Sequence, residues 1–128
     1  MKTILSAKYI DMSIEEDLNL LCIAFVDNKR NEYISLQQTI NADECDINLG
    51  MGEVYIEHND QLYASYGGIK KVTLKNSCID LILDVTIADQ ILMGEHVQIM
   101  LPEEYSNIIE LKDYLELIFK HDLDVFVS

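Results

Sequence analysis

The stretch Ile69-Lys70-Lys71-Val72-Thr73-Leu74-Lys75-Asn76-Ser77-Cys78-Ile79-Asp80-Leu81-Ile82-Leu83-Asp84 carries the clearest structural signal in the chain. Two β-rich runs flank Asn76-Ser77, and a two-residue turn there makes a hairpin, although Ser is a poorer second turn residue than Gly. That turn sets Leu74 opposite Ile79 and Val72 opposite Leu81 on one apolar face. The other face then carries Lys71, Thr73 and Lys75 against Ile82, Asp80 and Cys78. One apolar and one mixed face is the pattern of strands that pack on a core from one side only.

Upstream of this hairpin the chain also reads as strands. Residues 3–12 form a first strand, and Ser13-Ile14-Glu15-Glu16-Asp17 turns the chain. Residues 18–26 are a near-continuous apolar run, which suits a central strand covered on both faces. Asp27 to Asn31 is a turn cluster, Tyr33 to Ile40 a third strand, and Asn41 to Gly52 an irregular acidic segment. Residues 53–66 suit a second hairpin turning near Asn59-Asp60. Downstream, Thr86 with Asp89 resembles a weak capping arrangement, Ile87, Ala88, Ile91 and Leu92 make one stripe, and Gly94 is placed to stop that helix. His96 to Leu101 is a short strand. Pro102-Glu103-Glu104 then opens a longer helix with the stripe Ile108, Leu111, Leu115, Ile118 and with Lys112 and Lys120 on its polar side. The expectation is an α+β fold: an antiparallel β-sheet with a short helix and a C-terminal amphipathic helix packed on one face. No linker, repeat or low-complexity tract interrupts residues 1–128, which read as a single domain.

Composition narrows the function classes. The chain has 128 residues, 49% of them hydrophobic, enough for one core and against disorder. Nine Lys and Arg against 23 Asp and Glu give a net charge of −14, which repels phosphate and excludes nucleic acid as a partner. No run approaches the ~18 apolar residues of a membrane span. The apolar part of Met1 to Ala7 stops at Lys8, short of a secretory h-region. Cys22, Cys45 and Cys78 are odd in number and widely spaced, which argues against a disulfide framework and for a reducing cytosol. Cys22 lies inside an apolar run and reads as a buried, inert thiol.

The candidates for chemistry are weak. In Asp43 to Gly50, reading Glu44, Asp46 and Asn48 as alternate calcium ligands puts Leu49 where the loop needs Gly and Tyr55 where it needs Glu, so a solvated acidic loop is favoured. His58, His96 and His121 lack metal-ligand spacing. Cys45 with His58 is the single nucleophile–base pairing that can be built, and Asp43, Glu44 and Asp46 beside that thiol would suppress the thiolate. No catalytic, cofactor or metal residue is assigned. What remains is Tyr55, Tyr63 and Tyr66 with Glu57 and Asp60, in or beside one hairpin: rigid aromatic anchors with charges that steer a basic partner. The plainer alternative is that these tyrosines pack on the core with only their hydroxyls in solvent. Gly67-Gly68 reads as a bulge or tight bend.

Asp46-Ile47-Asn48-Leu49-Gly50-Met51, Tyr55-Ile56-Glu57, Asn59-Asp60-Gln61 and Tyr66-Gly67-Gly68-Ile69 resemble the immunity protein 10 family, small bacterial proteins encoded beside polymorphic or contact-dependent toxins. Val72, Leu74, Leu81-Ile82-Leu83-Asp84 and a final helix ending near Ile118-Phe119 agree less specifically. The chain departs at the hairpin tip, where Leu62 and Tyr63 follow Asn-Asp-Gln and the family commonly has Gly. The resemblance implies an inhibitor that binds a cognate protein toxin in the cytosol, with no catalytic residue to carry over. A basic toxin, a nuclease among the candidates, would match the acidity. Two readings of other classes stand beside this one: an acidic regulatory protein-interaction domain unrelated to toxins, and a small enzyme using Glu44, Asp46, Glu53 or Glu57 in a pocket.

Overall fold

Period-two alternation builds strands along most of the chain, and the pairing of distant strands decides the architecture. The computed structural model describes residues 2–29, 31–40, 53–121 and 125–127. The strands are β1 (Lys2–Glu15), β2 (Leu20–Asp27), β3 (Tyr33–Thr39), β4 (Tyr55–His58), β5 (Asp60–Tyr66), β6 (Ile69–Leu74), β7 (Cys78–Leu83), β8 (His96–Met100) and β9 (Phe126–Val127). Two helices, α1 (Val85–Gln90) and α2 (Ile108–Ile118), accompany them, with a 3-10 turn at Glu16–Leu18. The strands form one sheet in the order β5-β4-β3-β2-β1-β8-β7-β6-β9.

The sheet is mixed, which corrects the expected antiparallel α+β arrangement. Two antiparallel meanders, β1 to β5 and β6 to β8, meet where β8 lies parallel to β1, and β9 adds parallel to β6. The balance is also shifted toward strand, since the helices have only 6 and 11 residues. Strand β1 is the shared spine. Its Lys2–Ser6 half pairs with β8, its Ala7–Glu15 half pairs with β2, and the register slips between Ala7 and Tyr9 where the two halves meet. Such a bulge bends a strand and tightens its twist.

The connection from β5 to β6 forces the sheet to curl. These strands lie seven neighbours apart in the sheet order, or roughly 34 Å if flat, at about 4.8 Å per strand. Tyr66 and Ile69 are joined by Gly67-Gly68 alone, a span of at most about 11 Å. The sheet therefore rolls around a single hydrophobic cluster that draws Leu5, Ile23, Phe25, Leu36 and Ile56 from one meander and Val72, Ile79, Leu81, Val97 and Ile99 from the other. Gly67 and Gly68 make the corner with φ of 82° and 88°, a region open to glycine and costly for side chains. The bend is thus a corner between the edge strand β5 and β6, the strand next to β9.

Helix α1 covers the seam between β5 and β6. Its cap is Asp84, whose carboxylate accepts from the Thr86 amide, in place of the Thr86–Asp89 arrangement expected from the sequence. It ends at Gln90, and Leu92 takes the left-handed conformation (φ 60°) ahead of Gly94. Gln90 donates from its side-chain amide to the Ala64 carbonyl at 3.0 Å, tying the helix to β5. Helix α2 begins at Ile108, not at Pro102, and buries Leu111, Leu115 and Ile118 against β2 and β3. Lys120, expected on the polar side, turns back and donates to the Thr39 and Ile40 carbonyls at 2.7 and 2.5 Å. Burial of that ammonium pushes its pKa down.

The hairpin of residues 69–84 has the expected register, with Leu74 opposite Ile79 and Val72 opposite Leu81. Strand β2 differs from its expected double coverage. Only Leu21, Ile23 and Phe25 are fully buried, and the alternate residues Cys22, Ala24 and Val26 are half-buried on the other side.

Candidate functional site

The side of the sheet turned away from the core carries the candidate site. Cross-strand register places Val26 opposite Tyr33, Ala24 opposite Ser35 and Cys22 opposite Gln37. It continues with Ser35 opposite Glu57, Gln37 opposite Tyr55, Glu57 opposite Ala64 and Tyr55 opposite Tyr66. Directly opposed residues share a face, so Tyr33, Ser35, Gln37, Tyr55, Glu57 and Tyr66 form one outer surface across β3, β4 and β5.

Glu57 is its centre. The residue is only 9% exposed although it points away from the core. Its Oε1 accepts the Tyr55 hydroxyl at 2.6 Å, and its Oε2 accepts the Tyr33 hydroxyl. The Tyr55 and Tyr66 rings stand 5.1 Å apart at 56°, and Tyr66 is 54% exposed. Burial, then the hydrogen bond and charge of Glu57, push the Tyr33 phenol up to about 12, and Asp60 adds to this. The same order of causes raises the Tyr55 phenol, with Tyr66 and Tyr33 contributing. Both hydroxyls therefore remain donors across the physiological range. Beneath them, Gln37 donates to the Ser35 hydroxyl at 3.1 Å, and Cys22 Sγ and Ser35 Oγ lie 3.4 Å apart. Burial raises the Cys22 thiol; the Ser35 hydrogen bond offsets part of this, and Glu57, Glu15 and Asp11 add to the rise. A thiol so placed is a poor nucleophile.

The five residues singled out from the sequence separate in space. Tyr55, Glu57 and Tyr66 come together on the outer surface. Asp60 starts the edge strand β5, exposed, and its carboxylate accepts the Leu62 amide at 2.9 Å. Tyr63 has its ring against the hydrophobic cluster. Sequence reasoning missed Tyr33. Its alternation with Ile34 was visible, but its meeting with Glu57 depends on the pairing of β3 with β4 across a 24-residue separation.

Asn59 shapes the tip. It takes φ 65°, its amide donates to the Tyr33 carbonyl at 3.1 Å, and its side-chain oxygen accepts the Tyr33 amide at 2.7 Å. The turn near Asn59-Asp60 thus holds the backbone that carries Tyr33. His58, next to it, faces the core. Its Nδ1 donates to the Ile91 carbonyl at 2.8 Å, and its Nε2 lies 3.6 Å from Glu32.

Lys2, Lys71, Lys75 and His96 lie on the β1–β8–β7–β6 half, where Asp80 bonds Lys75 at 2.6 Å and His96 at 3.2 Å. Asp11, Glu57 and Asp60 lie toward the tyrosine half. Glu53 is exposed. Cys45, Glu44 and Asp46, with the acidic segment that holds them, lie outside the described residues. Among the described residues no group of three His, Cys, Asp or Glu side chains could hold a metal ion, and no helix is long and apolar enough to cross a membrane.

No curated protein and no solved structure matches the chain. The family model of immunity protein 10 matches residues 6–108, from the middle of β1 to the first residue of α2. That span contains the tyrosine surface, the Asn59 tip and the glycine corner. The chain belongs to the immunity protein 10 family.

Proposed function

We propose that this chain binds a cognate bacterial toxin in the cytosol of the producing cell and neutralises it by stoichiometric occlusion, without chemistry of its own. Family membership supports a toxin as partner. The observation that carries the choice of surface is a carboxylate held by two tyrosine hydroxyls beside an exposed third tyrosine, on a face away from the core. Tyr55 and Tyr66 are the contact anchors, Glu57 and Asp60 supply charge, and Tyr63 holds the edge strand from beneath. A net charge of −14 supports a basic partner, a nuclease among them, because complementary fields accelerate encounter and discriminate against acidic partners.

Co-expression tests the reading. Cells producing the toxin encoded beside this gene should survive when the chain is present, and the purified pair should form a one-to-one complex whose association slows as salt rises. Killing that is equal with and without the chain would overturn it.

A further inference from the structure

We propose that Glu57 in its tyrosine frame is the receptor for an arginine side chain of the partner protein, an assignment that rests on the toxin-binding reading above. The frame orients the carboxylate without neutralising it. Each oxygen accepts one phenol, Oε1 from Tyr55 and Oε2 from Tyr33, and a carboxylate oxygen has room for a second donor. Among the described residues Lys75 pairs with Asp80, His96 also lies beside Asp80 and His58 lies near Glu32, and none of these contacts reaches Glu57. The Glu57 carboxylate is thus nine-tenths removed from water with no cation paired to it among the described residues, a setting that a partner's cation would complete.

The surroundings select the cation. Asp11, Glu15 and Asp60 add field of the same sign to that of Glu57, as their effects on Cys22 and Tyr33 indicate. Lys2 and Lys71 lie on the opposite half of the sheet. The Tyr55 and Tyr66 rings, one of them more than half exposed, present π-faces beside the carboxylate. A planar guanidinium stacks on such faces, gives two parallel N–H donors to a carboxylate, and sheds water more readily than an ammonium. Arginine therefore fits this site better than lysine.

The test uses the full chain and two probes. In an NMR titration with L-argininamide, the ring signals of Tyr33, Tyr55 and Tyr66 should shift saturably at millimolar concentration. The neutral isostere citrulline amide should leave them in place, and Glu57→Gln should abolish the response. Equal responses to both amides, a response that survives Glu57→Gln, or none in the wild type would overturn the proposal. With the toxin domain, Glu57→Gln should weaken binding by about 30-fold or more and flatten its salt dependence. Equal affinity for wild type and Glu57→Gln would overturn the arginine site while leaving the immunity reading intact. A toxin domain that ignores the wild type would sink the immunity reading, and the argininamide titration then decides the site. Should Glu57→Gln fail to fold, Tyr55→Phe, which keeps the ring and the carboxylate but removes one orienting hydroxyl, should weaken the argininamide response, and an undiminished response would overturn the framed site.

Discussion

The glycine corner offers a matched pair of substitutions. Gly67 and Gly68 share nearly the same φ, 82° and 88°, but differ in what an added Cβ would meet. At Gly67 it would lie 2.1 Å from Glu53 Oε2, the end of a flexible, exposed side chain that can swing away. At Gly68 it would lie 2.4 Å from Ile87 Cγ1 and 2.7 Å from Ile87 Cβ, atoms anchored to α1. A positive φ costs an alanine about 1–2 kcal/mol, and the stiffer unfolded chain returns about 0.4–1 kcal/mol, so Gly67→Ala should cost roughly 1 kcal/mol. Gly68→Ala adds overpacking of about 1–3 kcal/mol and should cost roughly 2–4 kcal/mol in all. At about 3–5 °C per kcal/mol for a chain of this size, the difference of about 1–3 kcal/mol should set the two variants roughly 3–15 °C apart in a thermal scan followed by circular dichroism. Ile87→Ala in the Gly68→Ala background should recover part of the difference by removing the γ-carbons. Two glycine variants melting together would refute the argument that α1 is locked against the β5–β6 corner.

Three further outcomes are expected. Phe119, 2% exposed and stacked on Phe126 at 6.3 Å, should cost about 3–5 kcal/mol when cut to Ala, read from urea unfolding; a loss under about 1 kcal/mol would contradict its place in the core. Tyr66→Ala should weaken toxin binding by about 1–3 kcal/mol in a calorimetric titration and leave the melting temperature close to that of the wild type, whereas Tyr63→Ala should lower stability first. Tyr33 should ionise late in an absorbance titration. Its folded value, about 12, is raised above the ordinary value of about 10, so its contribution to stability is complete below pH ~10 and is lost as pH rises toward 12. Glu57→Gln should bring that ionisation earlier, and an unchanged curve would remove Glu57 as a cause.

Elements governed by near neighbours along the chain were legible in the residues themselves. The Val72–Leu81 register follows from a short turn and strict alternation, and the Leu111, Leu115, Ile118 stripe follows from the helical repeat. Misses cluster where a distant partner decides. Residues 18–26 read as doubly covered because apolar content is high, yet the second face lies in the outer surface with Cys22 half-buried. Pro102 to Asn107 had helix-opening chemistry, but the helix starts only where Ile108 reaches the core. For the candidate site, the tyrosines and Glu57 were visible as residue types. Tyr33 and the burial of Glu57 were not, since both depend on β3 lying beside β4.

The amino-acid order alone thus determined the strand-rich character, the local hairpins, the acidity, and the motif that marks the family. Only the tertiary structure decided that β8 runs parallel to β1, that the sheet rolls until β5 and β6 meet at two glycines, and that three tyrosines gather round one carboxylate. Alternation and turn chemistry act over a few residues, and the chain records them directly. The direction of a strand paired with another some ninety residues away is set by which arrangement buries the shared core, a property of the whole roll.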